Sequence, residues 1–399
     1  MSDISQKAID LHRENQGKLA VHSKVKIEDA QDLSLVYTPG VGAVSLAIAK
    51  DPSLSRELTL NGRTVAIISD GSAVLGLGNI GPEAALPVME GKALLIKQFS
   101  GLDSFPLVIN TQKASDIVTF VRQVAPTFSA INLEDIGAPN CFEVEEALQD
   151  IGIPVFHDDQ HGTAIVVAAA LLNAAKVVGK PYESLRVGVI GAGAAGLAVA
   201  KMLLAADCHA DNCSVISSLP RVADVVIFDK TGALYRGRPD MNVYKQAVAG
   251  ISNRDMLQGT PETVLQGFDV VIGVSGPGSI SEQLIENLAD KSVVFALANP
   301  IPEIMPDIAQ TAGAYIIATG RSDFPNQINN VLAFPAIFKI AHELQLKRIT
   351  MKVKVAVVQA LASLVAAPTQ DKIIVSPFYP NLVQVITQKV IAELQLSEV

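Results

Sequence analysis

The chain has 399 residues, of which 49% are hydrophobic and 18% charged, so it can form two or three globular domains and is not a disordered protein. Its 31 Lys and Arg residues against 40 Asp and Glu residues give a formal charge of −9, which argues against sequence-independent binding to nucleic-acid phosphates. An anionic ligand would therefore need local positive charge, such as a metal ion, a lysine or a helix N-terminus.

The cysteines and the N-terminal residues indicate in which cellular compartment the protein is found. Cys141, Cys208 and Cys213 are too few and too scattered for a disulfide framework or a four-thiolate zinc site. The first residues carry charges throughout and have no apolar core, unlike a signal peptide. The longest apolar run, 163–175, contains Asn173 and is too short to span a bilayer. These features predict a cytoplasmic protein with no membrane partner.

Short runs of β-branched residues alternate with helical patterns from about residue 60 onwards. Continuous apolar strands that are separated by helices are typical of parallel sheets covered on both faces, so the sequence predicts an α/β fold. The predicted strands are 64–69, 105–110, 129–133, 153–156, 185–190, 223–228, 269–274, 292–297 and 314–319.

A long, Ala-rich helix is predicted over 162–178, and a Gly-Lys-Pro turn follows it. We therefore expect two domains. Residues 1–160 would form an N-terminal α/β catalytic and metal-binding domain. Residues 161–399 would form a Rossmann-type domain with a doubly wound parallel sheet, followed by C-terminal helices.

Two residues of the first domain are candidates for proton transfer. Tyr37 lies just before a Thr-Pro-Gly turn, which would fix its phenol as a proton donor; the alternative is a half-buried aromatic side chain. Lys92 lies in a predicted helix. Next to a metal ion and an apolar wall, its pKa would be lowered and it could act as a base. The alternative is an ordinary solvated helix lysine.

The pattern G-x-G-x-x-G occurs twice, and context separates the two copies. A loop separates the first copy, Gly76, Gly78 and Gly81, from its strand, and the next strand ends in Asn110 rather than in an acidic residue. This copy is therefore predicted to shape a substrate loop rather than to bind a nucleotide.

Acidic pairs follow two neighbouring predicted strands. Glu134 and Asp135 follow the first, and Asp158 and Asp159 follow the second. Four carboxylates that meet at one sheet edge would repel one another unless a cation lay between them, and oxygen ligands suit Mg²⁺ or Mn²⁺. The alternative is that both pairs simply begin helices, where the helix dipole favours acidic residues.

The second glycine copy has the context of a dinucleotide-binding turn. It follows a predicted strand without a gap and leads directly into an apolar helix. The first glycine would make the turn, the second would let the pyrophosphate approach, and the third would let helix and strand pack closely. The predicted cofactor-binding residues of this turn are Gly191, Gly193, Ala194, Ala195, Gly196 and Leu197.

Asp229 ends a later strand and is the candidate for binding the ribose hydroxyls, which favours NAD over NADP. It lies well beyond the usual spacing of about 20 residues, so an inserted loop is predicted at 207–222. Lys230, Arg236 and Arg238 leave binding of the NADP 2′-phosphate as an alternative.

A series of segments resembles malic enzymes of the short bacterial type, in the same order along the chain. The segments are YTPGVG, SDGSAVLGLGNIGPEAALPVMEGKALL, INLEDIGAPNCFEVE, PVFHDDQHGTA, GAGAAG, FALANP and GRSDFPNQINNVLAFPAIF. The resemblance implies oxidative decarboxylation of L-malate to pyruvate and CO₂, with NAD⁺ or NADP⁺ and with Mg²⁺ or Mn²⁺. It also implies a homodimer.

The resemblance implies residue roles as well. Its catalytic residues fall on Tyr37 as the general acid, Lys92 as the general base and Asp158 as the acid that neighbours the lysine. Its metal ligands fall on Glu134, Asp135 and Asp159. Asn299 matches a residue near the nicotinamide, and Asn329 and Asn330 match the pair that, beside Lys92, holds the substrate. Larger members carry an arginine where this chain has Ser72-Ala73, so a second contact to the substrate anion is not assigned.

Two other functions stay open at this point. One is conversion of malate to lactate with NAD retained on the protein. The other is a non-catalytic, nucleotide-sensing protein on the same scaffold, which predicts that a catalytic or metal-binding residue is missing. The chain contains Tyr37, Lys92 and all the acidic residues, which disfavours the sensing protein.

Overall fold

Two parallel sheets, joined by one long helix, organise the chain. The structure is a computed structural model and describes residues 3–209 and 212–396. The strands are β1 (Thr64–Ser69), β2 (Asp103–Val108), β3 (Ala130–Leu133), β4 (Val155–His157), β5 (Arg186–Ile190), β6 (Ala206–His209), β7 (Asn212–Val215), β8 (Asp224–Asp229), β9 (Gly232–Ala233), β10 (Val270–Gly273), β11 (Val293–Ala296) and β12 (Ile316–Thr319). The α/β class and all the predicted strands are confirmed, although β2 begins and ends two residues earlier than predicted.

The helices connect these strands and cover the sheets. They are α1 (Asp3–Asn15), α2 (Ala30–Val36), α3 (Gly40–Lys50), α4 (Ser55–Leu58), α5 (Pro82–Ser100), α6 (Ala114–Val124), α7 (Asn140–Ala147), α8 (Asp158–Val178), α9 (Ala194–Leu203), α10 (Val243–Ala249), α11 (Pro261–Val264), α12 (Glu282–Glu286), α13 (Pro306–Thr311), α14 (Phe334–Glu343), α15 (Met351–Ser363) and α16 (Leu382–Leu396).

The first sheet brings the ends of β3 and β4 together. Its strand order is β2-β1-β3-β4, and every neighbouring pair is parallel. Leu133 of β3 is in register with His157 of β4. The acidic residues that follow these two positions therefore leave the sheet at the same edge, side by side.

The second sheet is doubly wound around its first strand. Its order is β12-β11-β10-β5-β8-β9, with only β9 antiparallel to its neighbour. β5 is central and entirely apolar after its first residue, and β10 and β8 lie on either side of it. Ligands of such sheets bind at the carboxyl ends of the strands, where the strand order reverses.

α8 links the two sheets and is mostly buried. By length and composition alone, two described stretches are apolar enough to cross a membrane: Asp158–Val178 and Ala30–Lys50. The apolar run 163–175 lies within Asp158–Val178, and only the flanking residues of this helix bring it to the length of a membrane span. Its burial in protein identifies it as a core helix. The boundary at residue 160 falls inside this helix and stays a prediction.

The C-terminal helices return to the first sheet. α14 and α16 pack against α5, and α15 packs along α8. Asn173 in the middle of α8 donates hydrogen bonds to the carbonyls of Ala362 and Ile373, which ties α8 to the C-terminal region. Residues beyond the second sheet therefore contribute to the site on the first one.

The inserted loop predicted at 207–222 begins as a β-hairpin. β6 and β7 are antiparallel and place Cys208 opposite Cys213, and the two cysteines form a disulfide. The sequence favours reduced cysteines. This disulfide is not predicted, because a cysteine count does not reveal which residues a hairpin places side by side. Cysteine usage therefore no longer supports a cytoplasmic location, which stays a prediction.

An N-terminal arm, residues 19–50, projects from the first domain. Just before it, the Lys18 amide donates to Glu90 of α5, and the Lys18 side chain donates to the Pro87 carbonyl. Beyond this anchor α2 and α3 pack on each other, and α3 also packs on the short helical turn at residues 52–54. The arm lies wholly within the described part of the chain, and none of its residues is buried.

Candidate active site

Three of the predicted acidic residues converge at one point. One carboxylate oxygen each of Glu134, Asp135 and Asp159 lies within 4.8 Å of the others. The first two residues directly follow β3, and the third lies at the start of α8, directly after β4. The parallel register of β3 and β4 produces this convergence, which was predicted from the sequence.

The cluster has the chemistry of a divalent cation site. Burial raises the pKa of Glu134 well above its usual range, and the charges of Asp159 and Asp158 add to this effect. Burial and the charge of Asp159 also raise the pKa of Asp135 to about 7. The buried Oδ2 of Asp135 has no hydrogen-bond partner among the described residues. A hard cation would accept these oxygens and relieve the repulsion, so the residues fit Mg²⁺ or Mn²⁺.

Neighbouring groups fix the orientation of each carboxylate. Asn132 donates to Glu134 (Nδ2 to Oε2, 2.8 Å), and the amide of Asp135 donates to Asp159 Oδ2 (2.8 Å). The buried His157 lies with Nε2 3.4 Å from Asp159 Oδ2. Such outer partners hold metal ligands in place, and none of these contacts follows from the motif alone.

A loop of the first domain, residues 70–73, forms hydrogen bonds that position the carboxylate cluster. Ser72 Oγ donates to Asp70 (2.6 Å) and accepts from the amide of Gly137 (2.7 Å). The amide of Ala73 donates to the carbonyl of Asp135 (2.9 Å). Ser72 and Ala73 therefore hold the segment that carries Asp135.

Lys92 is buried beside the cluster. Its Nζ lies 2.6 Å from Asp158 Oδ2 and 2.9 Å from Glu134 Oε1. The ring of Phe334, at the start of α14, lies 4.3 Å from the same nitrogen and forms an apolar wall. The structure thus places Lys92 next to Asp158 and next to the carboxylate cluster, as predicted.

The lowered pKa expected for Lys92 beside a metal ion stays a prediction, and the carboxylates around the lysine act in the opposite direction to burial. Burial alone would lower the pKa of Lys92, but the nearby carboxylates of Asp158, Glu134 and Asp159 outweigh burial and raise it. The sequence could show the apolar wall but not the number of carboxylates within contact distance. A divalent cation would offset their field and favour the neutral amine.

The turn after β5 has the shape that a pyrophosphate requires. The amide of Gly191 donates to the Phe228 carbonyl, and Gly191 has a φ of +120°, which favours glycine. A Cβ at Gly196 would collide with the Gly191 carbonyl oxygen, whereas a Cβ at Gly193 would meet nothing within 4 Å. The third glycine therefore permits close packing, and the second leaves space for a ligand at the start of α9.

The other residues of this turn take different positions. α9 begins at Ala194, and Ala195 lines the adjacent cleft. Leu197 is only 1% exposed, and its amide donates to the Gly193 carbonyl. The first full turn of α9 directs the Leu197 side chain into the core, and its contact with the cofactor stays a prediction.

A cleft of about 540 Å³ lies between the two sheets. Asp159 belongs both to the carboxylate cluster and to the wall of this cleft. Asn299, Asn329 and Asn330 line the cleft as well, on the side of the second sheet. The first glycine copy also reaches the cleft, because a Cβ at Gly76 would collide with the Asn299 carbonyl oxygen. This glycine copy shapes the cleft wall, in agreement with the role predicted for it.

Glu303 is a residue that the motifs did not reveal. It is fully buried, and its carboxylate accepts from the amides of Ser275 (2.8 Å) and Ala298 (2.9 Å). These amides follow β10 and β11, and both residues line the cleft. Glu303 therefore holds two cleft loops at a fixed separation. A single glutamate in a loop carries no sequence signal for this position.

Tyr37 is the one proposed catalytic residue that the chain does not bring to the site. It lies in the N-terminal arm, is 67% exposed and is not among the described residues that line the cleft. The segment that contains Tyr37 is apolar and precedes a turn, so its side chains are expected to be at least half buried within the chain. In this structure these side chains are exposed.

The fold and the site define a class of protein. A Rossmann-type turn, a carboxylate cluster with a buried lysine and a cleft that joins them are the parts of a nicotinamide-dependent oxidoreductase that acts on a small substrate. Comparison with known proteins specifies the family. Residues 16–149 match the family model "Malic enzyme, N-terminal domain", and residues 160–395 match "Malic enzyme, NAD binding domain". The chain belongs to the malic enzyme family.

Individual relatives agree with this assignment. The chain is 48% identical to a bifunctional malic/malolactic enzyme of Bacillus subtilis, with 94% of this chain and 89% of the relative covered. It is 44% identical to an NADP-dependent malic enzyme of Halomonas elongata, with 92% and 84% covered. The crystal structure of an NAD-dependent malic enzyme from Thermotoga maritima superimposes with a TM-score of 0.88 at 44% identity, with 96% of this chain and 98% of that chain covered.

Proposed function

We propose that this protein catalyses oxidative decarboxylation of L-malate to pyruvate and CO₂, with hydride transfer to NAD⁺ and with Mg²⁺ or Mn²⁺ as the metal. The observation that carries the proposal is the position of Asp159, which lies in the carboxylate cluster and also in the wall of the cleft beside Ala195. A substrate in the cleft would thereby lie between the metal ligands and the dinucleotide turn.

The residues of the chain suit the three chemical steps. Lys92, as the neutral amine, takes the proton of the C2 hydroxyl while the C2 hydride passes to the nicotinamide, and Asp158 holds the lysine in place. Glu134, Asp135 and Asp159 would hold the cation, which would supply Lewis-acid polarisation of a substrate oxygen. Loss of CO₂ leaves an enolate, which takes a proton at C3.

Side-chain amides suit the binding of the substrate. Asn329 and Asn330 lie in the cleft wall and can donate hydrogen bonds to a substrate carboxylate. Asn329 Oδ1 accepts from the amide of Val331 (3.0 Å), which fixes the orientation of its side chain. Asn299 lies on the dinucleotide side, where it would contact the nicotinamide.

A homodimer would complete the site. The proton for C3 requires Tyr37, which is exposed on the N-terminal arm together with Leu35 and Leu46, 66% and 65% exposed. A second copy of the chain would cover these apolar side chains, and in a two-fold dimer each arm can reach the other subunit. We propose that Tyr37 acts in the cleft of the partner subunit.

Mixing two inactive variants tests this arrangement. Tyr37→Phe and Lys92→Ala subunits, co-expressed with different tags, would form mixed dimers that keep one intact site of two. Random assembly makes about half of the dimers mixed, so activity should return to about a quarter of the wild-type level. If Tyr37 acted within its own chain, every site would lack one residue and the mixture would stay as inactive as its parents.

Initial rates with malate test the activity itself. Reduced nicotinamide is expected to accumulate with NAD⁺ in the presence of Mn²⁺ and not after chelation of the metal.

The Bacillus subtilis relative is named as a malic and a malolactic enzyme, which makes lactate formation the second candidate. Consumption of malate with lactate as the product and no rise in NADH absorbance would support that reaction instead. We expect no nucleic-acid or membrane partner.

A further inference from the structure

Glu145 of α7 carries a largely buried carboxylate that has no part in the reaction as described so far. Its side chain is 14% exposed. Three donors from the start of α8 contact it: the amide of His157 (3.3 Å to Oε1), Nε2 of Gln160 (3.0 Å to Oε2) and Nε2 of His161 (2.7 Å to Oε1 and 3.0 Å to Oε2). One short segment of the chain therefore engages both oxygens of Glu145.

Lys354 fixes the direction of the hydrogen bond between His161 and Glu145. Nζ of Lys354, a buried residue of α15, lies 3.0 Å from Nδ1 of His161. An ammonium group has only donors, so Nδ1 accepts and the ring hydrogen lies on Nε2, the nitrogen that faces Glu145. These three side chains thus form a continuous line of hydrogen bonds from α15 through α8 to α7.

The donors to Glu145 lie on both sides of the acidic pair in this segment. His157 directly precedes Asp158 and Asp159, and the other two donors directly follow them. His157 is also the residue before α8, and its side chain does not cap the helix. A negative charge near a helix N-terminus is stabilising. Glu145 therefore holds the first turn of α8 from a different helix.

The first turn of α8 carries two groups of the proposed reaction. Asp158 Oδ2 lies 2.6 Å from Nζ of Lys92, and Asp159 belongs to the carboxylate cluster. Because the two aspartates are consecutive residues, a shift of this turn would displace both carboxylates at once. A displacement of about 1 Å can cost about 100-fold in rate, so the support of this turn matters for the chemistry.

We propose that Glu145 is a positioning residue for Asp159, the metal ligand, and for Asp158, the partner of Lys92. This inference rests on the proposed function, because both aspartates have their roles in that reaction. Outer partners of metal ligands typically contribute about 10- to 100-fold to metal affinity or activity. No sequence pattern reveals Glu145, because it is one of several acidic residues on α7 and meets the start of α8 only in the folded chain.

The Mn²⁺ affinity of a Glu145→Gln variant tests the proposal without turnover. The substitution keeps the size of the side chain but replaces one acceptor oxygen by an amide nitrogen, which then faces a donor of α8. Free Mn²⁺, measured by electron paramagnetic resonance in a titration of the full chain, should show binding weakened by about 10- to 100-fold. The NADH dissociation constant, measured by fluorescence, should stay within about twofold of the wild type, because the dinucleotide turn lies on the other sheet.

Glu143→Gln is the matched control. Glu143 lies on the same helix but is exposed, so the same chemical change there should leave the Mn²⁺ affinity at the wild-type value. Gln160→Met decides the case in which Glu145→Gln does not fold. It removes one of the three donors and leaves Glu145 in place, so Mn²⁺ binding should weaken by about threefold or more, the effect of one hydrogen bond.

The outcomes separate positioning from general stabilisation. A folded Glu145→Gln variant with wild-type Mn²⁺ affinity would overturn the positioning role, even if its melting temperature were lower. Equal losses of Mn²⁺ and NADH affinity would overturn it too, because they indicate loosening of the whole chain. If Glu145→Gln does not fold, an unaltered affinity in Gln160→Met overturns the role. Wild-type protein that binds no Mn²⁺ would overturn the proposed function itself.

Discussion

Replacing Lys92 by alanine is expected to lower kcat for malate oxidation by about 10²- to 10⁴-fold, the usual contribution of a general base. The physical reason is the position of its amine, which lies 2.6 Å from Asp158 and 2.9 Å from Glu134 at the edge of the carboxylate cluster. No lysine or arginine is among the described residues that line the cleft, and Lys92 lies beside the carboxylate cluster, whose Asp159 belongs to the cleft wall. The rate of NADH formation at saturating malate and Mn²⁺ measures the effect.

Two controls separate lost chemistry from lost structure in this variant. Lys97→Ala removes a half-exposed lysine from the same helix, where it pairs with Asp103, and should leave kcat close to that of the wild type. NADH binding and circular dichroism show whether Lys92→Ala is folded, since removal of the lysine leaves two buried carboxylates without their partner. A folded Lys92→Ala variant with near-normal kcat would exclude Lys92 as the base.

Asp159→Asn is expected to weaken Mn²⁺ binding by more than the roughly 10- to 100-fold that loss of an outer-shell partner costs. The substitution keeps an acceptor for the amide of Asp135 but removes one of three charged ligands. Free Mn²⁺ measured by electron paramagnetic resonance during a titration gives the affinity directly, without turnover.

A surface carboxylate provides the comparison for Asp159. Asp150 is 66% exposed and pairs with Arg122, so Asp150→Asn makes the same chemical change away from the cleft. Its Mn²⁺ affinity should equal that of the wild type. Equal affinities in Asp159→Asn and Asp150→Asn would mean that the cation binds somewhere else.

Sequence reasoning succeeded where a short pattern determines the position of a side chain. The parallel strands of both sheets were predicted because buried parallel strands are continuous apolar runs, as in β1 and β5. The acidic residues were predicted to converge because parallel strands end at the same sheet edge. The second glycine copy was distinguished from the first by the strand before it and the helix after it.

The remaining features depend on contacts between residues of different secondary-structure elements. The pKa of Lys92 depends on three carboxylates that different elements bring to it. The partners of Asp229 include Lys245, which lies on a later helix. The disulfide between Cys208 and Cys213 depends on the register of a hairpin. No local pattern encodes any of these contacts.

The place of Tyr37 illustrates a further kind of limit. Its motif indicated a role in proton transfer, but a sequence does not say which copy of the chain uses the residue. The exposure of the whole N-terminal arm supports a dimer-dependent site. A light-scattering mass, measured beside the mixed-variant experiment, would show the number of chains that share it.

Anomalous X-ray scattering from crystals grown with Mn²⁺ would locate the cation in relation to the cleft. We expect a single strong peak about 2.1 Å from oxygens of Glu134, Asp135 and Asp159, and loss of that peak in Asp159→Asn crystals. A manganese peak elsewhere with these three carboxylates empty, or an equally strong peak in the variant, would contradict the proposed metal site and the reaction built on it.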